Sequence, residues 1–440
     1  MLAALQAKAL DAVPLCTHRF NIFEGSVRSS KTVTSLLPWL DFVRHGPKGP
    51  LLMVGKTGDT LKRNTIDPLT EMLGASRCAH NIGTRELKLL GRTLYLASAN
   101  DEKAAAKIAG LTLAGAYGDE LSTWPESFFR MLGSRLSLPG ARMFGTTNPD
   151  NPMHWLKAGY LDRAKVHLTQ AGDVLVSADP DALDLARMSF VLADNPHLPP
   201  EYVAALAAEY TGLWHRRYIL GEWVIAEGAV YDMFDLARHV VGDCPVIKRW
   251  ICCSVDYGTT NPFHALLIGL GVDKRLYVVA EWRWDSRKRR QQLSDAQYSA
   301  KLREWLASVR YPGSMLHGVT PERIIVDPSA ASFRVQLFQD RMQSMMAENE
   351  VLDGIRLVSS LLSTGRLLIH ESCTDLIGEL QSYSWDEKAA AKGEDVPIKK
   401  NDHGVDALRY GIYTPRSVWR NLIIPSEAPP NYQDHFGVPL

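Results

Sequence analysis

Neither a C-x-x-C pair nor a regular cysteine framework occurs among Cys16, Cys78, Cys244, Cys252, Cys253 and Cys373. That argues against a disulfide scaffold or a zinc site and for reduced thiols in a cytosol-like compartment. No apolar run approaches the roughly 18 residues needed to cross a bilayer, and the N-terminus carries no signal-peptide pattern, so a soluble protein without a membrane partner is expected. An excess of one charge is missing too. Forty-nine Lys and Arg balance 49 Asp and Glu, so any nucleic-acid footprint has to be a local basic patch rather than a global field. What remains is an ordinary globular composition over 440 residues, too long for one core and suited to two domains with a subdomain between them.

The chemistry concentrates in three acids. Asp256 opens Asp256-Tyr257-Gly258 at the end of the apolar run Trp250 to Val255. Asp327 follows Ile324-Ile325-Val326. Asp406 lies in Asp402-His403-Gly404-Val405-Asp406, on the first turns of a predicted helix. Hard divalent ions such as Mg²⁺ and Mn²⁺ prefer oxygen ligands, and carboxylates on separate elements converge to hold such ions against a phosphodiester. Asp256 is expected to bridge two ions, with Asp327 and Asp406 completing the set. His403, three residues before Asp406, shares its helix face. Water positioning, proton donation, metal binding and simple helix capping all remain open for it. Asp402 reads as the N-cap, and Glu281 as either a further ligand or an exposed strand-end acid.

In the first half, Arg19 to Phe23 reads as a strand, Glu24 to Thr32 as a loop, and a helix follows from Val33. Against the phosphate-loop pattern G-x-x-x-x-G-K-[ST], Gly25, Lys31 and Thr32 fit, while Ser30 takes the place of the second glycine. Backbone N–H groups at such a turn can cradle phosphate, with Lys31 on the β- and γ-phosphates and Thr32 on magnesium. A Ser-rich turn capping a helix is the plainer alternative. The small-residue strand ending at Asp119-Glu120 suits magnesium binding by Asp119 and water activation by Glu120. It also suits an ordinary strand-to-helix junction. Thr146 and Asn148 end another strand, where they either sense the γ-phosphate or form a plain turn. Strands alternating with helices predict a mostly parallel sheet with ligands at the strands' carboxyl ends.

The order of these motifs resembles the large terminase subunit of tailed bacteriophages. The order is Gly-x-x-Arg-Ser-x-Lys-Thr, a strand ending Asp-Glu, Thr-Thr-Asn-Pro, Asn-Pro-x-Leu, Leu-Gly-Glu-Trp, Asp-x-Gly, Asp-Pro-Ser and Asp-His-x-x-Asp-Ala-x-Arg-Tyr. The resemblance covers residues 20–414. It implies an α/β chain with an N-terminal RecA-like, additional-strand P-loop ATPase domain and a C-terminal RNase H-like nuclease. The expected bounds are 1–188 for the ATPase, 189–244 for a linker subdomain, 245–414 for the nuclease and 415–440 for an extended tail. ATP with Mg²⁺ is implied at Gly25, Arg28, Ser29, Ser30, Lys31, Thr32, Asp119, Thr146 and Asn148. Mg²⁺ or Mn²⁺ is implied at the nuclease.

The implied activity is ATP-driven movement of double-stranded DNA into a procapsid and cutting of the concatemer. The implied partners are DNA, a portal protein, a small terminase subunit and further copies in a ring of five. The implied place is the host cytoplasm, docked on the procapsid. One departure stands out. Many relatives carry an arginine, acting in trans, where this chain has Ala109, with Lys107 two residues earlier. A stand-alone metal-dependent nuclease or resolvase with a regulatory nucleotide domain, or a catalytically degenerate assembly protein, are the alternatives.

Other features read less sharply. Arg287 to Arg290 and Lys399-Lys400 are the densest basic runs and suit either phosphate tracking or a solvated face. Residues 201–219 and 331–348 each read as one helix, 265–269 and 276–280 as hairpin-linked strands, and 386–395 as a mobile hairpin or loop near the metal site, able to gate access to it. The Thr259-Thr260-Asn261-Pro262 stretch repeats the tetrapeptide at 146–149, as coincidence.

Overall fold

The computed structural model describes residues 7–258, 261–310 and 317–423. Two sheets organise them. The first half supplies β1 (Phe20–Gly25), β2 (Leu51–Gly55), β3 (Cys78–Asn81), β4 (Glu86–Leu89), β5 (Arg92–Ser98), β6 (Gly115–Gly118), β7 (Arg142–Thr147), β8 (Ala164–Leu168), β9 (Val174–Val176) and β10 (Leu183–Phe190). They hydrogen-bond in the order β3-β4-β5-β2-β6-β7-β1-β10-β8-β9. The central pairs are parallel, and β1, β2, β6 and β7 are buried almost throughout, as a sheet covered on both faces requires. Ile22 and Phe23 show how: Phe23 packs with Trp39, Phe42, Tyr117 and Phe144 on one face, and Ile22 with Leu52, Val54, Phe128 and Leu132 on the other. Strand β10 beside β1 runs across position 188, where the first segment is expected to end.

The second sheet contains β11 (Val240–Val241), β12 (Ile247–Asp256), β13 (Phe263–Gly271), β14 (Leu276–Trp284), β15 (Ile324–Val326), β16 (Ser344–Met346) and β17 (Leu367–His370), in the order β11-β17-β14-β13-β12-β15-β16. Strands β12, β13 and β14 are antiparallel and β15 joins β12 in parallel. That is the RNase H-like arrangement expected from the two hairpin-linked strands after Asp256.

Several expectations need correction. The helix expected over 201–219 is two, Pro200–Glu209 and Gly212–Tyr218, parted where Tyr210 and Thr211 turn extended. The helix expected from Ala331 to Glu348 stops at Gln339, and the chain goes on to the edge strand β16. The tail is not extended from its start: Arg416–Ile423 is a helix with Trp419 and Ile423 buried. The prolines beyond it lie outside the described residues, as do Thr259 and Thr260. The expected hairpin at 386–395 does form, closed by the antiparallel bridge of Trp385 with Pro397, but it carries the short helix Glu387–Ala390 and is docked on the first half. All six cysteines are buried and unpaired, and no described helix is long and apolar enough to cross a membrane.

Candidate active sites

The first site lies where β1, β6 and β7 end side by side. The loop after β1 turns through positive φ at Arg28 (57°) and Ser30 (64°). Ser30 thus adopts the left-handed conformation that the glycine of the usual pattern supplies freely, and the helix Lys31–His45 starts at once. Gly25 has no such latitude. Its φ is 139°, and a Cβ would lie 1.8 Å from the Phe190 carbonyl oxygen. Gly25→Ala is expected to cost at least about 2 kcal/mol of stability, read from denaturant unfolding; a wild-type midpoint would contradict this. The loop is also fastened from behind. Buried Glu24 accepts bonds from Ser189 Oγ and from Trp223 Nε1 (2.7 Å), and the Val27 amide donates to the Tyr218 carbonyl.

Lys31 is buried, its Nζ 3.0 Å from the Ser26 carbonyl. Burial lowers its pKa to about 8, against the pull of Glu120 and Asp119. Asp119 is held on both oxygens: Thr146 Oγ1 donates to Oδ1 (2.8 Å) and Asn64 Nδ2 to Oδ2 (3.0 Å). Burial nevertheless raises its pKa. Glu120 has a positive φ of 53°, and its amide donates to Thr146 Oγ1 at 3.2 Å. Burial, then the Asp119 charge, push its pKa up to about 7, while Lys31 and Arg356 pull it down. Two buried oxygens here lack partners: Ser26 Oγ in the loop, a hydroxyl able to donate to phosphate, and Asn148 Oδ1 beyond β7, which can only accept. Together with the exposed-amide geometry of a left-handed turn, the Ser26 hydroxyl fits a bound phosphate chain. Thr32 and Asp119 are the oxygen donors that fit its magnesium. Thr146 is committed to Asp119, which leaves Asn148 as the one of the two with side-chain capacity to spare.

The second site forms where β12 and β15 end in parallel, with Val255 paired to Val326 and the Asp327 amide donating to the Val255 carbonyl. The helix His403–Tyr413 packs across them, close enough that a Cβ on Gly411 would lie 2.6 Å from Ser254 Oγ. His403 Nδ1 is 2.8 Å from Asp256 Oδ2. The Asp256 carboxyl feels all its neighbours: burial pushes its pKa up to about 6, the His403 hydrogen bond opposes this, and Asp406 and Asp327 add to it. Burial works against charging His403, yet Asp256, with the Asp402 and Glu379 charges, offsets it, so the histidine's pKa is raised.

Asp406 and Asp327 thus lie close enough to act on the Asp256 charge, while both of their own oxygens and Asp256 Oδ2 are engaged. Ser329 donates to both oxygens of Asp327, from its amide and from Oγ, each at 2.9 Å. Arg409 Nη2 holds Asp406 Oδ1 (2.9 Å) and Lys399 Nζ holds Asp406 Oδ2 (3.0 Å). As placed, no three His, Cys, Asp or Glu side chains among the described residues are grouped as they would be around one ion. The donor set is right for a hard cation, and the Lys399 ammonium occupies a cation position on it.

A family model described as the N-terminal part of the T4likevirus-type terminase large subunit matches residues 58–238. Over 236 residues the chain is 26% identical to the terminase large subunit of Escherichia phage T5, a match spanning 50% of this chain and 50% of that relative. The crystal structure of a large terminase from a thermophilic bacteriophage superposes with a TM-score of 0.82 at 33% identity, covering 94% of this chain and 99% of that one. The chain belongs to the large terminase family of tailed bacteriophages. The same thermophilic phage's large terminase in complex with ATP-gamma-S gives a TM-score of 0.79 at 34% identity, over 93% of this chain and 99% of that one.

Within this terminase, several site residues escape sequence reading. Asn64 sits in a π-helical turn, Lys62–Ile66, a local irregularity common at functional positions. Arg356 comes from the second half. It pairs with Asp353 (2.7 Å) and lies over the Tyr218 ring. Arg135 donates to the Ala109 carbonyl at 2.7 Å, beside the slot left without an arginine. Glu379 receives the amides of Gly404 and Val405 and so caps the His403–Tyr413 helix. Asp402, at the N-cap position, makes no side-chain cap and faces Lys399 instead. Glu281 spends its oxygens on the amides of Asp375 and Leu376 and on His264, a helix-capping role rather than a ligand's.

Proposed function

We propose that this chain hydrolyses ATP to move double-stranded DNA into a procapsid and cuts the concatemer with a two-ion nuclease. The observation that carries this reading is the presence of both sites in one chain that matches a large terminase along nearly its whole length. The amides of the 26–32 loop take the phosphates, and Lys31 leaves the Ser26 carbonyl for them. Thr32 and Asp119 hold the magnesium, which when bound neutralises charge on the β- and γ-phosphates. Glu120 orients the attacking water and accepts its proton, while Asn148 meets the terminal phosphate.

In the second half Asp256, Asp327 and Asp406 hold the divalent ions, Mg²⁺ or Mn²⁺, which when bound stabilise the attacking and leaving oxygens of the cut phosphodiester. His403 keeps Asp256 oriented through its Nδ1 contact. DNA approaches along Arg287 to Arg290, since Arg287 Nη2 lies 3.4 Å from Asn261 Oδ1, just past the Asp256 loop. The working assembly is a ring of copies, five in number, on a portal protein in the host cytoplasm, with a small terminase subunit that selects the viral DNA.

The test is direct: the purified chain should show DNA-stimulated ATPase activity and Mn²⁺-dependent cleavage of plasmid. Absence of both activities would reject the assignment. The first site also predicts a pH profile. The proton acceptor must be ionised, and burial, then the Asp119 charge, push the Glu120 pKa up to about 7. Lys31 must be charged, and it loses its proton near pH 8. Accordingly kcat/KM for ATP is expected to fall about tenfold per unit below the first value and again above the second. A profile flat from pH 5.5 to 9 would contradict the assignment of both groups.

A further inference from the structure

Of the two cations on Asp406, one is built in and one is not. The Arg409 side chain is 2% exposed; its Nη1 bonds Asn349, and its stem packs on Gly354. Lys399 has a side chain 56% exposed and reaches both Asp406 (3.0 Å) and Asp402 (3.4 Å) from an irregular segment. It can leave without opening a cavity.

The segment that carries Lys399 belongs to a small hairpin. Residues 384–386 pair with 396–398: the Asp386 amide donates to the Val396 carbonyl and the Ile398 amide to the Ser384 carbonyl. The tip of this hairpin rests on the first half. Asp395, its side chain 1% exposed, receives Arg217 Nη1 and also Asn151 Nδ2 (3.2 Å). Asn151 Nδ2 further donates to the Ala390 carbonyl, and a Cβ on Gly393 would lie 2.7 Å from the Met153 carbonyl oxygen. Arg217 also pairs with Asp150, two residues beyond Asn148. One hairpin thus touches the chain just past the nucleotide site at its tip and the cleavage acids at its base.

We propose that Lys399 is a resident counter-cation of the cleavage acids, that it must leave Asp406 before a divalent ion is bound there, and that the docked tip of the hairpin keeps it in place. The proposal rests on the reading of Asp256, Asp327 and Asp406 as metal ligands. An ammonium seated on one Asp406 oxygen repels a divalent cation approaching that oxygen, and the other oxygen of Asp406 is already given to Arg409. The apparent metal affinity is therefore the intrinsic affinity reduced by the fraction of molecules in which Lys399 has left. An ion pair this exposed is worth a factor of about five. Undocking the hairpin tip raises that fraction, which gives the first half a physical handle on the cutting site.

The experiment is Mn²⁺ binding to the full chain without nucleotide, by calorimetry. Lys399→Met should lower Kd about fivefold, and Asp395→Asn should shift it in the same direction. Asp406→Asn should abolish this binding both alone and combined with Lys399→Met. In the wild type, Mn²⁺ should also speed tryptic cleavage after Lys399 or Lys400, because the metal evicts the side chain. An unchanged or weaker Kd in Lys399→Met, with binding still dependent on Asp406, would overturn the proposal and leave the metal site standing. Mn²⁺ binding that ignores Asp406 in every variant would remove the metal-site reading itself. Tightening in Lys399→Met but not in Asp395→Asn would refute the tether. If the methionine variant unfolds below the wild-type temperature, Lys399→Gln answers the same question.

Discussion

Glu120→Gln is expected to lower kcat for ATP hydrolysis about 10²–10⁴-fold, the usual range for losing a positioned proton acceptor. The amide keeps the shape of the side chain and can still hydrogen-bond water, but it cannot take a proton. Nucleotide affinity should change little, because Glu120 carries no phosphate. Its backbone is set by the bond to Thr146, which the substitution leaves alone. Stopped hydrolysis with retained ATP binding is the expected pair of results. Loss of binding in step with turnover would move Glu120 out of the chemical step and into the phosphate cradle.

Asp256→Asn is expected to reduce plasmid cleavage by roughly 10³-fold or more, since in the proposed role the carboxylate would hold divalent ions that supply several kcal/mol of charge stabilisation. The ATPase should survive this change, because the nucleotide site lies in a different sheet. His403 can still bond the amide oxygen, so a folding defect is not the expected cause. The two substitutions together form a crossed test. Each should silence one activity and spare the other, and a variant that loses both would mean that the sites are not independent.

Where the sequence was legible, the reason is local. Lys31, Thr32, Asp119 and Glu120 lie at strand ends and helix starts, where spacing alone predicts their neighbours. Asp256 and Asp327 follow apolar runs that read as buried strands, Asp406 sits on the first turns of a predicted helix, and the parallel pairing of β12 with β15 brings the first two together. What escaped depends on contacts between distant segments. Arg217 sits in the run His215 to Tyr218, and nothing local distinguishes it as the residue buried against Asp150 and Asp395. Lys399 looks like half of a solvated Lys-Lys run until the fold places it on Asp406. The break at Tyr210-Thr211 and the strand β16 escape because apolar periodicity carries through both. Residues 416–423 were missed because Pro415 and the later prolines outweighed Trp419 and Ile423, whose burial makes that helix.

The account stands or falls on whether residues 256, 327 and 406 hold metal. Anomalous diffraction from crystals soaked in Mn²⁺ measures this without reference to any activity. The expected map shows manganese between Asp256, Asp327 and Asp406, with the Lys399 side chain turned away from Asp406. A map with no manganese among the three acids, at Mn²⁺ concentrations that support cleavage in solution, would contradict it.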